Sequence, residues 1–260
     1  MNQAEIEKII LSLIDTFVYS GKVCQELRKK GLKKQIKSDN TPVSNGDIEV
    51  NNLITKRIEE ITPNIKIISE ETSLNKKSEN LTDFWLIDPI DGTHDYINGK
   101  EEFTINAGLI LDRKPVAGII NAPDKKRLFY TWGISNSFEI NKDSKKVLNC
   151  KKRSEKNEVK AVAYSSNPKA EISDLYKKYK ITNFTRMKSS LKFCVIASGE
   201  YDFYAAEPRA SEWDIAAGHI ILEEAGGKLK SFNNKDILYN TKEDILNPHF
   251  IAYGNISILD

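Results

Sequence analysis

The feature that most constrains this chain is an apolar run, residues 84–87, that leads directly into two aspartates and a Gly-Thr pair. An apolar run of this length bounded by turn residues predicts a buried strand. Pro89 has no amide hydrogen to donate and favours an extended residue before it, so we expect the strand to end near Asp88. Asp88 and Asp91 then lie at the open end of the strand, three residues apart across a tight turn.

These two carboxylates indicate a metal site, because an ionised carboxylate is costly to bury without a cation. Closely spaced oxygen ligands suit Mg²⁺ or Mn²⁺ rather than a metal that prefers thiolate. A turn or short helix that begins at Gly92 and Thr93 would offer free backbone amides to a phosphate. The stretch therefore indicates a metal-assisted phosphate site. The alternative interpretation is a capped turn with solvated aspartates.

The composition excludes several other classes of protein. A chain of 260 residues can bury a large core in one domain or two, and 39 basic against 37 acidic residues are too balanced for a nucleic-acid or membrane surface. No apolar run approaches the ~20 residues of a membrane span, and the first residues lack the order of a signal peptide. The cysteines, at 24, 150 and 194, are odd in number and far apart, as in a reducing compartment.

We therefore expect a cytoplasmic protein that binds no nucleic acid and has no integral membrane segment. Attachment to the inner face of the membrane is left open, as is the choice between a monomer and a homodimer.

The residues up to 155 predict an α+β domain. Apolar residues spaced three and four apart predict a helix over 4–30, and a capping box at Ser44 and Asp47 predicts a second helix that continues to Ile61. Asp47 is then either a cap contact or a functional acid. Further short strands with turn residues between them predict an antiparallel meander over residues 103–111, 116–122, 128–132 and 137–140.

A second strand also delivers acids at its end, because the apolar residues 65–68 lead into Glu70 and Glu71. Strand ends that meet on one edge of a sheet are where sites are built in α/β proteins. If this strand is a neighbour of the central one, Glu70 and Asp88 could share a cation.

The residues from 156 onward predict an α/β domain whose sheet can be mixed. The charged stretch 142–160 is the expected boundary. Asp214 falls in the first turn of a helix, where an acid is favourable as a cap but could also reach the metal cluster. The expected elements are strands near 159–164, 184, 201–205 and 249–253 and helices at 168–180, 190–198 and 213–225.

Four segments together resemble the inositol monophosphatase superfamily, whose members are lithium-sensitive, Mg²⁺-dependent phosphomonoesterases. The resemblance implies a layered αβαβα sandwich of α+β and α/β character and extends along almost the whole chain. The segments are 69–71 (SEE), 88–93 (DPIDGT), 213–218 (WDIAAG) and 224–227 (EAGG).

Four more segments resemble the CysQ branch of that superfamily. This branch consists of 3′(2′),5′-bisphosphate nucleotidases, which convert adenosine 3′,5′-bisphosphate to AMP and phosphate in sulfur assimilation and nucleotide recycling. Lys192 is the main discriminator, because inositol phosphatases usually lack a lysine there; its alternative is an ordinary lysine on a helix surface. The segments are 37–43 (KSDNTPV), 99–106 (GKEEFTIN), 189–194 (SSLKFC) and 246–248 (LNP).

The resemblance implies two or three Mg²⁺ ions per site, with Mn²⁺ as a substitute. Glu70, Asp88 and the carbonyl of Ile90 would hold one ion; Asp88, Asp91 and Asp214 would hold a second; and Glu70 would help to bind a third. Glu71 is expected to contact and orient the residues that bind the ions rather than to bind an ion directly.

The resemblance also implies catalytic roles for Glu70, Thr93 and Asp47, with Thr93 orienting the attacking water and Asp47 taking its proton. The substrate would be bound by the amides of Gly92 and Thr93 and by Ser189, Ser190, Lys192 and Asp214.

Two departures from the branch concern the fit of the nucleotide. Lys188 replaces a usual glycine, and residues 94–96 (HDY) replace Lys-Glu-Phe, where His94 is expected at the surface or the rim.

Two rival functions remain at this point. One is an inositol or related sugar phosphatase, which the Lys192 segment disfavours. The other is a non-catalytic interaction protein on the same fold, which the complete acidic set disfavours.

Overall fold

Two long helices cover one face of the N-terminal sheet in the computed structural model, which describes residues 1–38, 40–72, 80–134, 136–142, 144–152, 158–241 and 245–255. Helix α1 (Gln3–Lys30) begins with a capping box at Asn2, and helix α2 (Asn45–Ile61) begins with one at Ser44. Both predicted helices are confirmed. Between them, β1 (Lys34–Ile36) and β2 (Pro42–Ser44) form a small antiparallel pair.

The main sheet has seven strands in the order of the chain, so each strand pairs with the next one. The first pair is parallel and all the others are antiparallel, which confirms the predicted meander. The strands are β3 (Lys66–Ser69), β4 (Phe84–Asp91), β5 (Thr104–Leu111), β6 (Lys114–Ala122), β7 (Arg127–Thr131), β8 (Ser137–Asn141) and β9 (Ser144–Leu148).

One prediction about this sheet was wrong. Strand β4 does not end near Pro89 but continues to Asp91, because the pairing with β5 is irregular between Asp88 and Asp91 and does not need an amide from Pro89. Strand β9 was not predicted and lies within the charged stretch 142–160 that is the expected domain boundary. It is an edge strand whose side chains are exposed except at Leu148, so it shows no alternating apolar pattern.

The second sheet has five strands in the order β11-β10-β12-β14-β13 and is mixed, with β10 parallel to both of its neighbours. Strand β13 was not predicted. The elements of this half are β10 (Ala161–Ala163), α4 (Ala170–Lys178), β11 (Phe184–Arg186), α5 (Leu191–Ala197), β12 (Phe203–Ala206), α6 (Glu212–Glu224), β13 (Lys228–Ser231) and β14 (Phe250–Tyr253).

The elements stack in five layers, which confirms the αβαβα sandwich. Helices α1 and α2 pack on the outer face of the seven-stranded sheet, α5 and α6 lie between the two sheets, and α4 packs on the far face of the five-stranded sheet. The largest core cluster joins side chains from both sheets and from α5 and α6. The predicted domain boundary after residue 155 lies outside the described residues, and the division into two domains stays a prediction.

Helix α6 lies unusually close to the main sheet because glycines face it. A Cβ at Gly118 would stand 2.7 Å from the carbonyl oxygen of Ala217, and one at Gly108 would stand 2.9 Å from the Cβ of Ala216. On the other side, Gly218 of α6 contacts the ring of Phe193 in α5. Real side chains do not approach so closely, so larger residues at these positions would push α6 away from the sheet.

Candidate active site

Three carboxylates from two parts of the fold meet at one end of the main sheet. Strand β4 supplies Asp88 and Asp91, while Asp214 comes from the first turn of α6, where it accepts a hydrogen bond from the Ser211 amide at 2.7 Å. One carboxylate oxygen from each of the three residues lies within 4.8 Å of the other two. Asp214 therefore makes a capping contact at the start of α6 and also belongs to the carboxylate cluster.

Glu70 adjoins this cluster because β3 and β4 are parallel neighbours, as required for the predicted Glu70–Asp88 pair. Ser69 pairs with Ile87, and the Glu70 amide donates to the Ile87 carbonyl at 3.1 Å. Burial, together with the nearby charge of Glu70, raises the pKa of Asp88. Lys37 compensates part of the charge, with its ammonium 3.2 Å from Glu70 and 2.7 Å from Glu71.

The electrostatics of the cluster are those of a cation site. Burial, reinforced by the neighbouring carboxylates, raises the pKa of Asp88 well above its usual range and that of Asp214 to about 8. Burial also raises the pKa of Asp91 to about 6, against the opposing effect of Lys192. One oxygen of Asp88, Oδ1, is buried with no hydrogen-bond partner. Converging carboxylate oxygens with an unpaired buried acceptor fit hard divalent cations such as Mg²⁺.

Asp47 and Thr93 form a hydrogen-bonded pair next to this cluster. The Thr93 hydroxyl lies 3.0 Å from Asp47 Oδ1 and 2.8 Å from the carbonyl oxygen of Ile90. The other oxygen of Asp47 accepts from the amide and the hydroxyl of Ser44. Burial raises the pKa of Asp47. Asp47 is thus both the acid of the α2 capping box and a partner of Thr93.

Gly92 brings Thr93 into position at the end of β4. It has a φ of +91°, in the left-handed region that glycine tolerates, and a Cβ there would meet the carbonyl oxygen of Glu102. Helix α3 (Thr93–Ile97) begins directly afterwards, as predicted for a turn or short helix. His94 lies on the rim, with a side chain that is 67 % exposed.

The cavity above the cluster encloses about 530 Å³, which is a common size for a small-molecule site. Its wall carries four cationic residues, Lys37, Lys188, Lys192 and Arg209, as well as the acids. Lys192 is 4 % exposed, so it is not an ordinary surface lysine, and burial lowers its pKa to about 8. Its ammonium donates to the carbonyl oxygens of Lys188 and Ser189.

Arg209 stacks on Tyr164 at the same wall, with the guanidinium carbon 3.3 Å from the ring centroid. The two side chains present a cationic group beside an aromatic ring at the cavity. Sequence reasoning missed Arg209 and the Lys37 contacts. Lys37 lies in the segment that resembles the CysQ branch, so it could have been named as a site residue on that ground. Arg209 is a single arginine that follows a proline in a connection, and no pattern in the neighbouring residues indicates a functional role.

Ser189 and Ser190 do not line the cavity, so their predicted contact with substrate is not supported by the position of their side chains. Both residues are buried, and the Ser190 hydroxyl lies 2.7 Å from Thr104 Oγ1 and 2.7 Å from Asn106 Oδ1. Lys188, which replaces a glycine of the branch, has no left-handed backbone conformation, so the turn accepts a side chain there.

The sequence profile of the inositol monophosphatase family matches residues 5–255. The chain belongs to the inositol monophosphatase family. No helix in the described part of the chain combines the length and the apolar character required to cross a bilayer.

The chain is similar to CysQ proteins of that family. The chain is 33 % identical over 247 residues to the 3′(2′),5′-bisphosphate nucleotidase CysQ of Buchnera aphidicola, with 89 % of this chain and 92 % of the relative covered. It is 29 % identical over 241 residues to CysQ of Haemophilus influenzae, with 92 % and 90 % covered. The solved structure of CysQ from Bacteroides thetaiotaomicron matches with a TM-score of 0.75 and 26 % identity, covering 94 % of this chain and 96 % of that one.

Proposed function

We propose that this protein is a Mg²⁺-dependent phosphomonoesterase that hydrolyses the 3′-phosphate of adenosine 3′,5′-bisphosphate to AMP and phosphate. One observation carries the proposal most directly. A single cavity is lined both by the carboxylate cluster and by cationic residues, among them Lys188, Lys192 and Arg209, so it can hold a reacting phosphate together with a second anionic group. The similarity to CysQ proteins supports the same substrate.

Glu70, Asp88, Asp91, Asp214 and the carbonyl of Ile90 would hold two or three Mg²⁺ ions. When bound, Mg²⁺ neutralises the phosphate dianion, stabilises the charge of the transition state and acidifies water. The oxygen ligands also admit Mn²⁺. Sensitivity to lithium and a place in the cytoplasm are proposed on the family resemblance alone.

The Thr93–Asp47 pair would supply the general base. The Thr93 hydroxyl donates its proton towards Asp47 Oδ1, which leaves the threonine oxygen able to accept a proton from an attacking water. Asp47 would take up the threonine proton, and its raised pKa favours that step. The carbonyl oxygen of Ile90, 2.8 Å from the hydroxyl, is the alternative acceptor for the same proton. The amides of Gly92 and Thr93 would bind oxygens of the reacting phosphate.

Lys192 and Arg209 would bind the 5′-phosphate. An ammonium has three N–H bonds, and two of those on Lys192 reach carbonyl oxygens, so one remains for the substrate. Arg209 offers a planar guanidinium whose edge suits bidentate contact with phosphate. Tyr164, which lies beneath it, keeps the guanidinium in the cavity wall.

The test is phosphate release with Mg²⁺ from adenosine 3′,5′-bisphosphate and from inositol 1-phosphate, measured side by side. We expect kcat/KM to favour the bisphosphate by at least about 100-fold, equivalent to roughly 2.7 kcal/mol of transition-state binding. A preference for inositol 1-phosphate would keep the metal site but refute the nucleotide pocket. Release from neither substrate would favour a non-catalytic role.

A further inference from the structure

Two successive peptide groups connect Lys192 with two different carboxylates. The peptide between Lys188 and Ser189 donates its N–H to Glu102 Oε1 at 3.2 Å, and its carbonyl accepts from Lys192 Nζ at 2.5 Å. The next peptide, between Ser189 and Ser190, donates its N–H to Asp91 Oδ2 at 2.5 Å, and its carbonyl accepts from the same ammonium at 2.6 Å. Each peptide therefore lies between an anion and the shared cation.

Glu102 is the member of this arrangement to which no individual role has been assigned so far, although it lies in the 99–106 segment. It precedes β5, is half-buried, and accepts from the amides of both Lys188 and Ser189 with one oxygen. These bonds fix the peptide whose carbonyl holds Lys192. Hydrogen bonds to a charged group are stronger than neutral ones, and a peptide polarised from both ends strengthens both of its contacts.

The segment is also anchored from the side of the main sheet. The Ser190 hydroxyl is hydrogen-bonded to Thr104 and Asn106 of β5, and both of these residues are buried. With Glu102 at one end and β5 at the other, the 188–190 segment has few alternative positions. Asp91 and Lys192 are thereby held at a fixed separation through backbone atoms.

We propose that Glu102 is a positioning residue that holds the 188–190 segment so that the Ser190 amide orients Asp91 and two carbonyls orient Lys192. Glu102 thus couples the cation site to the site of the second phosphate without touching the substrate. The role of Glu102 towards the second phosphate rests on the proposed function, whereas its role in orienting Asp91 and Lys192 does not.

The test compares Glu102→Leu, which removes the acceptor, with Glu102→Gln, whose side-chain oxygen can accept the same two bonds. The neighbouring Glu101→Leu is the matched control, because the Glu101 side chain is 70 % exposed and pairs with Lys125 at the surface. Mg²⁺ binding is measured by calorimetry, and KM and kcat are measured with the bisphosphate. Circular dichroism verifies that each variant is folded.

We expect Glu102→Leu to weaken Mg²⁺ binding and to raise KM, each by roughly tenfold, as for the loss of a charged hydrogen bond. Glu102→Gln should recover most of both effects, and Glu101→Leu should stay within about twofold of the parent. The proposal would be overturned if Glu101→Leu and Glu102→Leu had the same Mg²⁺ affinity and KM. It would also be overturned if Glu102→Gln recovered neither quantity relative to Glu102→Leu. If the parent does not hydrolyse the bisphosphate, the loss of Mg²⁺ affinity still tests the role of Glu102 towards Asp91.

Discussion

The hydroxyl of Thr93 lies 3.0 Å from Oδ1 of Asp47, although the two residues are 46 positions apart in the sequence. The contact joins the first turn of α2 to the first residue of α3, just after β4. It places a buried carboxylate, held by Ser44, one hydroxyl away from the edge of the sheet that carries the carboxylate cluster. The acid of the α2 capping box and the proposed base are therefore the same residue.

Asp47→Asn should lower kcat by about 100-fold or more, because proton transfer by a positioned base contributes 10²- to 10⁴-fold. KM and Mg²⁺ affinity should change little, since Asp47 is not a ligand in this scheme. Steady-state kinetics and calorimetry provide the measurements. Thr93→Val should reproduce the loss of kcat, and exposed Glu49→Gln on the same helix is the control. A normal kcat in both site variants would exclude the pair from catalysis.

Asp91→Asn should abolish turnover while the protein still folds, because the amide keeps the size of the side chain but removes a charged ligand from the cluster. The loss should be at least about 1,000-fold in kcat/KM, or roughly 4 kcal/mol. Activity is measured over a Mg²⁺ titration, and circular dichroism reports the fold. Near wild-type rates at saturating Mg²⁺ would refute the metal assignment of Asp91.

Lys192→Ala and Arg209→Ala should each raise KM for adenosine 3′,5′-bisphosphate, by about 10- to 100-fold if one charged hydrogen bond is lost. For adenosine 3′-monophosphate, which lacks the second phosphate, Arg209→Ala should have a much smaller effect. Lys192→Ala should also affect the monophosphate, because Lys192 organises the segment that contacts Asp91. Equal effects of Arg209→Ala on both substrates would show that Arg209 does not read the second phosphate.

Without divalent cations, the protein should become less stable as the pH rises. Burial raises the pKa of Asp91 to about 6 and that of Asp214 to about 8, so the folded state binds more protons than the unfolded chain between pH 4 and 8. The stabilisation is complete below the unfolded pKa and is lost as each carboxyl ionises. We expect Tm to fall by roughly 5 °C or more from pH 5 to pH 8.

Mg²⁺ at pH 8 should reverse this loss, because it binds the ionised carboxylates. Asp214→Asn should flatten the dependence of Tm on pH, since the asparagine does not titrate. Scanning calorimetry in the presence of a chelator provides the measurement. A Tm that rises from pH 5 to pH 8 in the chelated protein would contradict the prediction.

Local patterns identified much of the site before the fold was known. The apolar run before Asp88 and the acids after residues 65–68 placed carboxylates at two strand ends, and the parallel pairing of β3 and β4 brings them together. The capping box located Asp47. These signals work because periodicity and capping depend on neighbouring residues in the chain.

Other parts of the site depend on contacts that no local pattern encodes. Lys37 meets Glu70 across a tertiary interface, and Arg209 stacks on Tyr164 from a different connection. Strand β9 is held by its backbone pairing with β8 and has mostly exposed side chains. Its lysines therefore gave no sign of a strand, and the charged stretch was interpreted as a domain boundary. The continuation of β4 past Pro89 depends on a bulge that only its partner strand defines.

The glycines opposite α6 have a consequence for which ions the site accepts. Asp88 and Asp91 lie on a strand of the main sheet, whereas Asp214 is carried by α6, so the distance between helix and sheet affects how far apart these carboxylates stand. The absence of side chains at Gly108 and Gly118 allows the close approach of α6 to the sheet. We therefore expect a methyl group added at either glycine to change the preference of the proposed cation site between Mg²⁺ and the larger Ca²⁺.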